Sequence, residues 1–190
     1  MQKRWKTVLI LTLTTFVLSV VLNLGSNSLL SVFPLTLSFG LLLFIVLIGI
    51  SFDILGVAAT AGDEAPFHAM ASNRVAGARQ AIWLVRNADR VSAFSNDVIG
   101  DIAGTLSGAV GAAIVFQIQP ASYGINEALF TTIMIALIAS ITVGGKALGK
   151  GFAISRSVDI LYVAGRILYS LEKIGIRVDN SGNKNKNKKR

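Results

Sequence analysis

No ionisable side chain occurs over residues 7–52. One helix crossing a bilayer needs about 20 apolar residues, so this stretch can supply two. The run Asn23-Leu24-Gly25-Ser26-Asn27-Ser28 is polar and turn-prone, and it divides the stretch. The pattern predicts a first span at about 7–24 and a second at about 29–58. Two further uncharged runs, 102–126 and 128–145, predict spans at about 95–118 and 127–148. The segment between them, with Pro120 and Gly124, reads as a loop.

Other segments carry a helical period with too many charges to span. Over 66–91 a surface helix is expected. Val75, Ala78, Ile82 and Val85 form an apolar face, and Arg79, Trp83, Arg86 and Arg90 form a second stripe. Arginines around a tryptophan suit a lipid headgroup layer. The same stripe also fits a solvated face on a helix packed against the protein. Over 152–174, Ile154, Val158, Leu161, Leu168 and Leu171 line one side, and Arg156, Asp159, Arg166, Ser170 and Lys173 the other. That pattern is an amphipathic helix rather than a fifth span. The Asn- and Lys-rich tail over 177–190 is too polar to pack, and disorder is expected there.

Composition agrees with these elements. Hydrophobic residues make up 53% of the 190-residue chain and charged residues 15%, whereas a soluble domain carries about 25% charged residues. The formal net charge of +8 points to nucleic acid only in a soluble chain. Here no aromatic residues interleave with the basic tail, and nucleic acid is not expected as a partner. Lys3, Arg4 and Lys6 precede span one. Arg74, Arg79, Arg86 and Arg90 lie between spans two and three, and every other Lys or Arg lies from Lys146 onward. The positive-inside rule then places both termini in the cytoplasm of a four-span plasma-membrane protein. Residues 1–28 are expected to act as a membrane anchor, with a cleaved signal peptide as the alternative. There is no cysteine and one histidine, which excludes thiolate chemistry and a multi-histidine metal site.

Candidate chemistry rests on ionisable groups at membrane depth, which are costly unless they face a partner or a cavity. Asp53 interrupts span two. Asp97 and Asp101 are four apart on one helical face, and Lys146 sits at the end of span four. Two carboxylates on one turn need a cation, a shared proton or a basic partner. Mg²⁺ prefers oxygen ligands, which Asp97, Asp101, Asn96 and Ser95 offer. Lys146 as a plain ion-pair partner is the competing reading, and Asp97 as a helix cap is a third. Gly100, Gly104 and Gly108 form a small-residue stripe that permits close helix packing. Asp63 and Glu64 read as an acidic turn and His68 as a packing or interfacial residue. The run from Gly144 to Gly151 lacks P-loop spacing and a preceding strand. No nucleophile or acid–base set emerges, so an enzyme is not expected.

The order of these parts over residues 40–170 resembles the transmembrane domain of the CorB/CorC and cyclin-M magnesium transporter family. Asn73-Arg74-Val75-Ala76-Gly77-Ala78-Arg79-Gln80-Ala81 is similar to that family's Gly-Asn-x-Gly-Ala-x-x-Ala stretch, and Asn87-Ala88-Asp89-Arg90 to its Asn-Pro-(Asp/Glu)-Arg. Ser95-Asn96-Asp97-Val98-Ile99-Gly100-Asp101 is similar to Gly-Asn-x-x-x-Asn. Gly145-Lys146-Ala147-Leu148-Gly149-Lys150 falls where the family has Gly-Glu-x-x-Pro-Lys. The family's serine signature is not visible over 52–60, its glutamate is Lys146 here, and no CBS pair occurs in the sequence. The resemblance implies a homodimer of short helical bundles binding Mg²⁺ in the membrane; no organic cofactor is expected. Asp97 and Asp101 would stand in for the family's asparagine ligands. The sequence therefore predicts an all-α polytopic helical bundle that binds or transports a divalent cation. Its metal ligands would be Asp97, Asp101, Asn96 and Asp53, with Lys146 tuning occupancy. The alternative is a non-transporting membrane subunit or interaction protein whose buried Asp and Lys residues form structural ion pairs.

Overall fold

A computed structural model describes residues 2–30 and 32–174; the tail expected over 177–190 lies outside them. Among the described residues the fold is all-α, without strands. Helix α1 (Gln2–Leu30) absorbs the polar run over 23–28, where a break was expected. Asn23 Nδ2 donates to the Ser19 carbonyl at 3.0 Å and Ser28 Oγ to the Leu24 carbonyl at 2.9 Å. Those polar groups are satisfied within the helix, so nothing forces it to end. The break comes at Pro34, whose fixed φ and missing N–H suit the start of α2 (Leu35–Ala61).

The surface helix expected over 66–91 is three pieces: α3 (Ala65–Ser72), α4 (Ala78–Arg86) and α5 (Ala88–Ser92). The first break is made by two left-handed residues, Arg74 (φ 56°) and Gly77 (φ 89°). α5 runs directly into a π-helical segment, Ala93–Gly100, and then α6 (Asp101–Ile118). The third rod therefore extends over Ala88–Ile118, beginning earlier than the expected residue 95. A 3₁₀ turn, Pro120–Tyr123, occupies the expected loop. α7 (Glu127–Ser155) starts at Asn126, whose side chain accepts from the Leu129 N–H at 3.1 Å. It continues past the expected end at 148, because Gly145 and Gly149 lie against Ile50 and Ile54 of α2. A corner at Arg156 leads into α8 (Ser157–Lys173), the expected amphipathic helix.

Four helical rods, Val8–Ser26, Leu35–Ala61, Ala88–Ile118 and Glu127–Ser155, are long and apolar enough to cross a membrane. Their outward faces expose Leu13, Phe16, Phe44, Leu47, Ile133 and Leu137, the surface that lipid rather than water would cover. The chain is a multi-pass membrane protein by this measure.

α2 is the hub, packing on α5, the π segment, α6, α7 and α8. Its first half joins Leu30, Leu106, Val110, Ile114 and Ile138 in one apolar core. Its last two turns join Phe67, Ala81, Leu84, Ala153 and Leu161 in a second core, beneath the surface helices. α1 is tied in at its C-terminal end. There Gln117 Nε2 donates to the Leu30 carbonyl at 2.8 Å, and the buried Ser38 Oγ donates to Gln117 Oε1 at 3.3 Å. α4 and α8 meet backbone to backbone: a Cβ at Gly165 would collide with the Gly77 carbonyl and lie 2.9 Å from the Ala81 nitrogen.

Candidate functional site

Between the two apolar cores lies a polar layer contributed by α2, the π segment and α7. Asp53 is about 27 Å along the axis from Leu35, and Lys146 is about 28 Å from Glu127, at 1.5 Å per residue. Gly100 is about 27 Å from Ile118 on the same measure. A bilayer's hydrocarbon layer is about 30 Å thick, so the three positions share one depth, near its end on the side of the surface helices.

Asp53 is buried, and its Oδ1 lies 3.9 Å from Lys146 Nζ. Its Oδ2 is buried with no hydrogen-bond partner. The Lys146 side chain is 22% exposed, and Gly100 lies beneath its ammonium, where a Cβ would come within 3.3 Å of Nζ. Asn96 reaches α2 from the π segment. Its Nδ2 donates to Ser92 Oγ at 3.2 Å, while its Oδ1 is buried without a partner. The amide rests on Gly56, one turn beyond Asp53, and any Cβ at Gly56 would strike Asn96 Oδ1. The i→i+5 bonding of a π segment re-aims side chains relative to an α-helix, and such segments recur at functional sites.

The other acids lie elsewhere. Asp97 and Asp101 are both exposed. Asp101 lines a groove of about 440 Å³ between α6 and α7, together with Lys146, Thr105 and Thr142. Lys146 therefore pairs with Asp53 and not with the Asp97/Asp101 pair that its sequence position suggested. Gly104 and Gly108 open into the groove and meet no neighbour; the close helix contacts are made instead by Gly49, Gly56, Gly111, Gly145 and Gly149. Among the described residues, no group of three or more His, Cys, Asp or Glu converges as a metal centre.

Comparison with protein-family models, with curated proteins and with solved structures returns no match.

On the surface helices the arginine stripe is divided. Arg79 and Arg90 are exposed, and Trp83 is half-buried against the second core. Arg86 Nε donates to Glu64 Oε2 at 2.9 Å, and His68 Nε2 lies 3.1 Å from the same oxygen. The Arg86 hydrogen bond, followed by that of His68, holds the Glu64 carboxyl below its ordinary pKa. A lowered carboxylate pKa stabilises the fold above the unfolded-state value, and the contribution is lost as pH falls through the folded-state value. Asp63 Oδ1 accepts from the Ala65 N–H at 3.2 Å, the structural role expected of the acidic turn.

Sequence reasoning missed the Gly56–Asn96 contact and the Ser38–Gln117 clamp. Gln117 was legible only as a polar residue at the end of span three. Gly56 had no periodic partner to distinguish it.

Proposed function

We propose that this chain is a non-enzymatic, multi-pass membrane subunit whose buried Asp53–Lys146 pair fixes the crossing of α2, the π segment and α7. In this reading the membrane is the plasma membrane and both termini are cytoplasmic, an orientation supported by the distribution of lysine and arginine between loops. The observation that carries the reading is the 3.9 Å approach of Lys146 Nζ to a carboxylate buried between two apolar cores. An acid at that depth needs a counter-charge, and the lysine supplies it from the neighbouring helix. Lys146→Ala should lower unfolding stability by roughly 2 kcal/mol in detergent. That is less than the 3–5 kcal/mol for breaking a fully buried pair, because Lys146 is partly exposed. Adding Asp53→Ala should recover most of the loss, since both charges are then gone. Losses that simply add would remove the pair from the account.

A second reading, a Mg²⁺-binding homodimer of the CorB/CorC type, is favoured by Asp101 in the α6–α7 groove. Mg²⁺ retains several waters and is often held by one or two carboxylates. The open Gly104 and Gly108 suit a helix of a second copy. In this reading Mg²⁺ raises the unfolding midpoint of the purified protein, and Asp97→Asn with Asp101→Asn abolishes the rise. A midpoint indifferent to Mg²⁺ would end it.

A further inference from the structure

We propose that Asp53 Oδ2 and Asn96 Oδ1 form a seat for one small monovalent cation, of the sodium or lithium class, and that Lys146 is its tethered competitor. The inference rests on the buried pair of the preceding reading and adds a ligand to it. Both atoms are buried oxygens that accept and cannot donate while Asp53 is ionised. The Asn96 nitrogen is engaged by Ser92 Oγ, which turns the amide oxygen towards Gly56 on α2, one turn from Asp53. Buried polar atoms in folded proteins are nearly always paired, and two unpaired acceptors on facing elements call for a positive guest.

Charge decides which guest. An ionised Asp53 brings one negative charge, and Lys146 Nζ meets it at 3.9 Å, the far limit of an ion pair. A monovalent ion that replaces the ammonium leaves the site neutral, whereas a divalent ion leaves a net positive charge at membrane depth, where uncompensated charge is costly. The displaced lysine has somewhere to go. It lines the α6–α7 groove together with the exposed Asp101, and Gly100 beneath it presents no side chain to obstruct the movement. Lys146 thus exchanges one carboxylate for another while the ion takes its place on Asp53. The α6–α7 groove that Lys146 lines is the approach to the site.

The test uses the full chain purified in detergent, with its unfolding midpoint followed in NaCl, LiCl, KCl and choline chloride at fixed pH and ionic strength. Sodium or lithium should raise the midpoint relative to choline. Lys146→Gln should lower the half-saturating sodium concentration at least about tenfold, because an intramolecular competitor acts at high effective concentration. Asn96→Asp should also tighten the response, and Asp53→Asn should abolish it. If Asp53→Asn does not fold, the wild-type and Lys146→Gln proteins decide the matter. Equal midpoints in all four salts for both proteins would overturn the proposal. So would an Asn96→Asp protein that is destabilised in every salt without any gain in sodium response, since that result would mean the amide nitrogen faces Asp53. The Asp53/Lys146 mutant cycle, run in choline, separates the two claims: coupling there with no sodium effect sinks only the cation seat, and no coupling sinks the pair beneath it.

Discussion

Gly165→Val should detach α8 from α4 and destabilise the protein by roughly 4 kcal/mol. The valine Cβ would collide with the Gly77 carbonyl and come within 2.9 Å of the Ala81 nitrogen. Both atoms are backbone, so no rotamer change relieves the clash. Gly77 opens α4 at a φ of 89°, a conformation that side-chain-bearing residues rarely adopt. Overpacking alone costs about 1–3 kcal/mol. Separation also loosens the second core, where Leu161 of α8 is fully buried with Ala81 and Leu84 of α4, a burial worth about 1.5–3 kcal/mol when complete. The measurement is the unfolding midpoint of the purified protein, together with amide exchange over residues 157–173. Exchange should quicken there and at α4 while α6 stays protected. A folded Gly165→Val protein with wild-type exchange in α8 would show that the crossing is not where its glycines place it.

Gly56→Val should cost roughly 3 kcal/mol and should do so through the polar layer. The added side chain takes the position of the Asn96 amide oxygen. Asn96 must swing away, and in doing so it gives up the hydrogen bond to Ser92 Oγ or pushes the π segment off α2. Either outcome combines overpacking strain with a polar group left unsatisfied, each about 1–3 kcal/mol. Asn96→Ala in the Gly56→Val background should recover part of the loss, because the colliding amide is then gone. Without such recovery, the two residues are not in contact. Gly104→Val is the matched control: a Cβ there meets nothing within 4 Å, and its effect on the monomer's packing should be small.

The four apolar rods were legible because bilayer-length runs without charge leave few alternatives. The amphipathic α8 was legible from its period alone. Boundaries were harder to read. The polar run over 23–28 looks like a turn, yet it is helical, with Asn23 and Ser28 bonding back to the carbonyls one turn earlier. The fourth span was expected to end at 148, yet α7 continues to Ser155, with Gly145 and Gly149 of its glycine run lying against α2. The π register over Ala93–Gly100 left no trace in composition that separates it from an α-helix. Asp53, Asn96 and Lys146 were legible as members of one larger site with Asp97 and Asp101, but which of those residues meet was not.

Sequence alone determined the class of this protein: its uncharged runs are too long and too apolar to be covered by water, and its basic residues cluster at alternate ends of those runs. Which charges meet was decided only by tertiary structure. Asp97 and Asp101 share a helical face, and that proximity drew attention to them, but the face points outward. Asp53 and Lys146 are far apart in sequence and meet because glycines on α2 and α7 bring those helices together. A helical period reports which residues share a face, whereas burial depends on which neighbouring helix comes close enough to cover it.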